Sequence, residues 1–186
     1  MTMRSLMISL VVLGACTDPP VSYSAPVGIR LRAKSADATN GLVTDDKAIT
    51  TEQGNPFGAF MAAAKDKLAG AAPSAIVVEG ATLALGDRST GITGLGDVFD
   101  ATVAVDFLID DSNNSYGVAS SRVDVATNTN LELDPHFDSG ALTEFDYLKL
   151  VGGHFKVVAH GTAARGFADK GASGDLEVTL TFSAFE

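Results

Sequence analysis

Apolar and polar residues alternate along much of the chain, the pattern of β-strands that bury one face and expose the other. The clearest run is 176–183, where leucine, valine and phenylalanine alternate with glutamate, threonine and serine. About seven such runs, separated by glycine-rich turns, predict a mainly β fold, specifically an antiparallel β-sandwich. The runs fall at residues 27–34, 75–85, 102–109, 118–125, 131–133, 154–160 and 176–183.

One of these runs changes phase part of the way along. Ile76 and Val78 share one face, whereas Leu83 and Leu85 share the other. One extra residue in a strand moves every later side chain to the opposite face. We therefore expect a β-bulge at Gly80.

A helical period follows the first strand and a polar stretch, 35–54, which we predict to be a loop. Asn55 can cap a helix and Pro56 suits its first position, while Gly70 suits the position after its end. A second stretch, 141–150, has apolar residues every three positions and favours one or two helical turns. The first stretch predicts one amphipathic helix packed on the core, through Phe57, Phe60, Met61, Ala64 and Leu68.

The N-terminal residues 1–15 form a different kind of segment. They carry one positive charge, Arg4, and no acid, and an apolar run covers residues 6–13. That run is too short to span a bilayer as a helix, which needs about 20 residues. A charged start, a short apolar middle and small residues before a cut site are typical of a secretory signal peptide. A buried first strand is the alternative interpretation.

The segment ends in Leu13-Gly14-Ala15-Cys16, and Cys16 is the only cysteine of the chain. These four residues resemble the lipobox of bacterial lipoproteins. The resemblance implies cleavage before Cys16, attachment of diacylglycerol to its sulfur, and acylation of its amino group. In such lipoproteins, an aspartate directly after the cysteine resembles an inner-membrane retention signal. Thr17 stands at that position here, so the resemblance implies sorting to the outer membrane. We expect a signal peptide at 1–15, a lipidated cysteine and tether at 16–26, and a single domain at 27–186.

The net charge of the chain narrows the classes of partner that it is expected to bind. The chain has 13 basic and 23 acidic residues, a net charge of −10. Binding to nucleic acid requires basic patches that neutralise phosphates, so an acidic surface argues against it. The membrane, reached through lipid on Cys16, is therefore the partner that we expect, with a protein or cell-wall component as a second.

Four oxygen-bearing side chains suggest a calcium site between two predicted strands: Asp110, Asp111, Asn113 and Ser115. Counted from Asp111, the sixth place is Tyr116 rather than the glycine of an EF-hand loop. Because aspartate, asparagine and serine are also common turn residues, a plain turn is the alternative. No other cofactor is indicated.

The three histidines offer weaker candidates. His136 stands between Asp134 and Asp138, which could form part of a metal site. His154 and His160 share one face of a strand about 20 Å apart, too far to share a metal, so we interpret both as facing solvent.

Known nucleophile, zinc-protease and phosphate-loop motifs are missing from the sequence. A triad assembled from distant residues stays open, because triads are defined by geometry. We expect a lipid-anchored envelope protein without catalysis, whose domain is structural or binds a protein or cell-wall component. The alternative is a lipoprotein that carries a small molecule or calcium.

Overall fold

The computed structural model describes residues 21–124 and 129–186, and it confirms the mainly β, antiparallel fold. Within these residues, the strands are β1 (Ser22–Lys34), β2 (Leu42–Ile49), β3 (Ala75–Leu85), β4 (Phe99–Ile109), β5 (Ser115–Val123), β6 (Asn130–Pro135), β7 (Phe155–Ala163) and β8 (Ser173–Phe185). The helices are α1 (Pro56–Lys67) and α2 (Glu144–Val151), with single 3₁₀ turns at Ser35–Asp37, Leu95–Asp97, Ser139–Ala141 and Phe167–Asp169. The predicted strand end at residue 125 lies outside the described residues.

All eight strands follow one order, β1-β8-β3-β6-β5-β4-β7-β2, with antiparallel neighbours throughout. Strands β5 and β6 join over two residue pairs only, so the sheet divides into halves β1-β8-β3-β6 and β2-β7-β4-β5. The rings of Phe182 on β8 and Phe107 on β4 stack at 6.0 Å between centroids, so the halves face each other. This pairing of two four-stranded layers is the topology of a jelly roll.

Strand β2 corrects the prediction of a loop at 35–54. The helix α1 therefore follows the second strand, not the first. In β2 only Val43 and Ile49 are buried, and the residues between them are polar or exposed. It is an edge strand paired with β7 alone, and an edge strand commonly carries charged side chains that hide its alternation.

Strand β1 starts earlier than the alternation indicates. Ser22 pairs with Phe185, and the ring of Tyr23 stacks on Phe60 at 5.8 Å. The predicted tether 16–26 is therefore wrong over residues 22–26, which belong to the sheet. Serine, alanine and proline hide the period in this part of the strand.

Three local predictions are confirmed. The β3–β8 register shifts between Val78 and Gly80, which lets side chains on both sides of the bulge face the core. Asn55 accepts a hydrogen bond from the Phe57 amide at 3.0 Å and so caps α1. The weak period at 141–150 corresponds to α2, where Thr143 caps the helix by accepting from the Asp146 amide.

The layered sheet has two ends, which we call the near end and the far end. The near end is where β1 begins and β8 finishes: the Glu186 amide donates to the Val21 carbonyl at 3.1 Å. The far end is where β1 finishes and β8 begins, with Lys34 paired to Ser173. The described part of the chain therefore begins at the near end.

Candidate functional site

The residues predicted to bind calcium lie at the tight turn between β4 and β5, at the near end of the sheet. Asp111 and Asn113 have φ of 69° and 57°, a left-handed conformation that aspartate and asparagine tolerate better than most residues. The Ile109 amide donates to the Asn114 carbonyl at 2.9 Å and closes the turn. The carboxylate of Asp111 is paired with Lys149 of α2.

Ser115, the last of the four predicted ligands, is directed elsewhere. Its hydroxyl donates to Asp106 on β4 at 3.2 Å. The structure therefore does not gather the side chains of Asp111 and Ser115 around one point, and calcium at this turn remains a prediction. The described ranges contain no cluster of three or more histidine, cysteine, aspartate or glutamate side chains arranged to hold a metal ion.

A buried carboxylate that the sequence did not reveal lies beside this turn. Asp146 of α2 is fully buried and accepts hydrogen bonds from the Tyr116 hydroxyl at 2.6 Å and the Asn114 amide at 2.8 Å. The bond from Tyr116, and then that from Asn114, lowers the pKa of Asp146 to about 2. The same bond raises the pKa of Tyr116. The carboxylate is thus charged at neutral pH and fastens α2 to the turn.

A sequence signal for this arrangement exists in retrospect. Thr143 and Asp146 stand three residues apart before an apolar run, the spacing of a helix cap and its partner. That spacing could have placed the start of α2. It could not have identified Tyr116 as a partner, because the two residues are brought together only by the packing of α2 on β5.

His160 and His154 have different surroundings. His154 is exposed, as predicted. His160 is only partly exposed, and its Nε2 lies 3.2 Å from the Asp106 carboxylate oxygen that also accepts from Ser115. In a catalytic triad the imidazole lies between serine and carboxylate. Here the carboxylate lies between serine and imidazole, so Ser115 contacts Asp106 and not the imidazole of His160.

The polar groups around His136 lie within hydrogen-bond distance of nearby backbone atoms. Its Nδ1 lies 3.1 Å from the carbonyl oxygen of Asp134. Asp138 accepts from the Gly140 amide at 2.7 Å and caps a 3₁₀ turn. The structure does not bring both carboxylates to the imidazole.

A groove of about 190 Å³ separates the two edge strands, and we call it the edge groove. Gly28 and Arg30 of β1 form one wall, and Lys47 and Ala48 of β2 form the other. Between the same two strands, the Arg32 amide donates to the Asp45 carboxylate at 2.6 Å, which shows that this backbone edge faces β2. Because backbone groups alternate along an antiparallel strand, those of Gly28 and Arg30 face the groove as well.

The far end has a second cavity, of about 290 Å³, beside Phe99 and Arg165. Asp97 on its wall is paired with Lys170 at 2.8 Å and accepts from the Thr93 amide at 2.8 Å. The bond from Lys170 is the main reason that the pKa of Asp97 lies well below its usual range. Both charges are therefore already compensated within the protein.

The predicted lipid-attachment residues Leu13, Gly14, Ala15 and Cys16 lie outside the described residues. Among residues 21–124 and 129–186, neither helix has the length and apolar character needed to cross a membrane.

Comparison with known proteins gives little. No protein-family profile matches the chain, and no curated protein matches it. Solved structures of turnip yellow mosaic virus are similar at 10% identity, over 99% of this chain and 90% of theirs. One is an empty head at 100 K, with a TM-score of 0.31, and another has a TM-score of 0.26. The jelly-roll assignment rests on the strand order alone.

Proposed function

We propose that this chain is a lipid-anchored protein of the bacterial cell envelope, held at its near end through Cys16. The observation that carries the proposal is the order Leu13-Gly14-Ala15-Cys16 directly after a short apolar run. The fold is compatible with it, since β1 begins at Ser22. Residues 17–21 then form the whole tether, which reaches roughly 17 Å when extended.

The jelly-roll domain is, in this proposal, a structural or binding module without catalysis. The edge groove is the surface best suited to a partner, because it presents backbone donors and acceptors from an unpaired sheet edge. An extended peptide from another envelope protein can add to such an edge as a further strand. The Ser115–Asp106–His160 order differs from that of a catalytic triad, because the imidazole does not contact the hydroxyl.

Metabolic labelling tests the anchor. Cells that express the full chain are grown with labelled palmitate, and wild type is compared with Cys16→Ala. Thr17→Ser is the matched control, because it changes a neighbouring side chain and keeps the cysteine. We expect label in wild type and Thr17→Ser and none in Cys16→Ala. Label in all three, or in none, contradicts lipid attachment at Cys16.

Thr17→Asp tests the membrane to which the chain is sorted. The residue after the cysteine would then resemble the inner-membrane retention signal. We expect the variant to move from the outer-membrane to the inner-membrane fraction, while Thr17→Ser stays with wild type. An unchanged distribution would remove the outer-membrane part of the proposal.

A photo-reactive residue at Ala48 tests the edge groove. Ala48 is exposed on the groove wall, whereas Ala71 is exposed outside it and serves as the control site. We expect a discrete adduct in cells from position 48 and none from position 71. Equal adducts from both sites would mean that the groove has no specific partner.

Calcium binding at the β4–β5 turn is the second candidate function. The run of oxygen-bearing side chains from Asp110 to Ser115, at the turn that follows β4, is the observation that favours it. A calcium site would raise the melting temperature in millimolar calcium relative to EDTA, and Asp111→Asn would reduce the difference. Identical melting curves would exclude it.

A further inference from the structure

We infer that α2 is a second membrane contact: Phe145 and Leu148 insert into the surface of the bilayer that holds the lipid anchor. This inference rests on the proposed function, since it takes the near end to face the membrane. It adds a defined orientation of the domain and a site in the folded part of the chain.

Phe145 and Leu148 are the most conspicuous apolar side chains on the outside of α2. They are 51% and 61% exposed, and their three-residue spacing places them on one face of the helix. The Lys149 ammonium lies 5.4 Å from the centre of the Phe145 ring, so a cation flanks the apolar pair. Phenylalanine and leucine on one face are the apolar side chains that helices bury at a membrane interface.

The location of this pair distinguishes it from scattered exposed apolar residues, which are common on soluble proteins. The Tyr147 hydroxyl donates to the Pro73 carbonyl, and the adjacent Ser74 amide donates to the Phe185 carbonyl at 2.9 Å. Phe185 pairs with Ser22, the first residue of β1. Helix α2 is thus connected by three short steps to the point where the tether leaves the fold.

The distribution of exposed apolar residues follows the same division. Val21, at 47% exposure, joins Phe145 and Leu148 at the near end. In the described part of the chain, the other large apolar side chain of similar exposure is Leu42, at 52%, at the far end. Three of these four residues therefore lie at the end that the tether holds close to the membrane.

The apolar face of α2 is held outward. Asp146 is fixed to Tyr116 and Asn114 on one side of the helix, and Leu150 is fully buried. The Lys149–Asp111 pair adds a further attachment to the turn. Because these contacts determine how the helix is rotated, Phe145 and Leu148 cannot turn into the core.

The length of the tether and the charges beside the apolar pair determine which lipid surface α2 can contact. A tether of residues 17–21 keeps Val21 within roughly 17 Å of the lipidated cysteine. Glu144 and Asp111 are exposed beside the apolar pair and would be repelled by anionic headgroups. We therefore assign the contact to a zwitterionic lipid surface, where apolar insertion meets no net repulsion.

The chain has no tryptophan and one cysteine, which makes a direct test possible. The full chain carrying Leu148→Trp is coupled through Cys16 to a maleimide phospholipid in phosphatidylcholine vesicles. Quenching of the single tryptophan by brominated lipid is then measured. Leu42→Trp is the matched control, because it has similar exposure at the far end and the same new side chain.

We expect brominated lipid to quench Leu148→Trp several-fold more strongly than Leu42→Trp, with a blue shift of emission for the former alone. Phe145→Trp should behave like Leu148→Trp, which guards against a perturbation specific to one variant. Equal quenching at both ends, or none at position 148, would overturn the inference. A concentration-dependent blue shift of Leu148→Trp without vesicles would instead assign the face to a second copy of the chain.

Because Cys16 is coupled chemically to a phospholipid, the quenching test does not depend on natural lipidation at Cys16. If palmitate labelling fails but Leu148→Trp is quenched, the membrane contact stands and natural lipidation at Cys16 does not. If labelling succeeds and quenching is absent, the anchor stands and the domain does not rest on the bilayer through α2.

Discussion

The near and far ends of this jelly roll are stabilised by different means. At the near end, the rings of Phe57, Phe60 and Phe182 meet between the sheet halves and α1, with centroids 5.3 to 5.9 Å apart. At the far end, the buried rings of Phe99 and Phe167 are accompanied by a backbone irregularity in β4 and by the Asp97–Lys170 ion pair. The comparison teaches that ring-to-ring contacts support the near end, while buried rings at the far end are combined with close backbone packing and polar contacts.

The largest effect should come from removing a ring at the near end. Phe182→Ala leaves a cavity among Phe57, Phe60 and Phe107, and should cost about 3–5 kcal/mol of unfolding free energy. Phe145→Ala, an exposed ring at the same end, should cost far less. Urea unfolding monitored by circular dichroism measures both. Equal losses would mean that the aromatic cluster does not support this end.

A smaller effect should come from adding a methyl group at the far end. A Cβ at Gly161 would lie 2.5 Å from the Thr102 carbonyl oxygen and 2.8 Å from the Phe99 ring. Strand β4 bulges between Asp100 and Val103, and this close approach depends on Gly161.

Gly161→Ala should therefore cost about 1–3 kcal/mol. At Gly28 the nearest atom to an added Cβ is the Glu177 carboxylate at 3.4 Å, so Gly28→Ala is the control and should be neutral. Thermal melts of the two variants provide the comparison, and a neutral Gly161→Ala would show that the bulge can relax.

The third effect depends on pH and belongs to the near end. The pKa of Asp146 is lowered to about 2 in the folded state, so the stabilisation is present above the ordinary value of 3.8 and is lost as pH falls from 3.8 toward 2. Tyr116→Phe removes the main cause and should make stability less dependent on pH in that window. Melting temperatures measured from pH 5 to pH 2 test this, and an unchanged slope would contradict it.

The smallest effect should come from the far-end ion pair. The side chains of Lys170 and Asp97 are about one-third exposed, and pairs of this kind contribute about 0–1 kcal/mol. Lys170→Met should lower stability slightly at neutral pH, and the difference should begin to shrink as pH falls below 3.8, the ordinary pKa of aspartate, toward the lowered pKa of Asp97. Chemical unfolding at pH 7 and pH 3 measures both values. A loss as large as that of Phe182→Ala would reverse the contrast between the ends.

Local chemistry explains which parts of the fold could be predicted. The bulge at Gly80 and the cap at Asn55 each depend on a few consecutive residues, so the sequence reveals them. Strand β2 is defined by pairing with β7 on one side only, and its polar residues reveal no alternation. Its existence depends on a partner more than a hundred residues away in the chain.

The same reasoning applies to the candidate sites. The turn at 110–115 was open to two interpretations from the sequence, because turn residues and calcium ligands share oxygen chemistry. Asp146 could not be identified as the partner of Tyr116, nor Asp106 as the partner of His160, because those pairs form only when strands and α2 pack. The proposed lipid-attachment motif is the reverse case, since the resemblance rests on four consecutive residues, 13–16, and on no packing.

The mass of the mature chain tests the central claim, anchorage through Cys16, most directly. The full chain is expressed in a Gram-negative bacterium and extracted from membranes with detergent, and its N-terminal peptide is analysed by mass spectrometry. The account predicts a chain that begins at Cys16 and carries a diacylglycerol thioether and an amide-linked acyl group. A chain that begins at Met1, or one that retains a free thiol at Cys16, would contradict it.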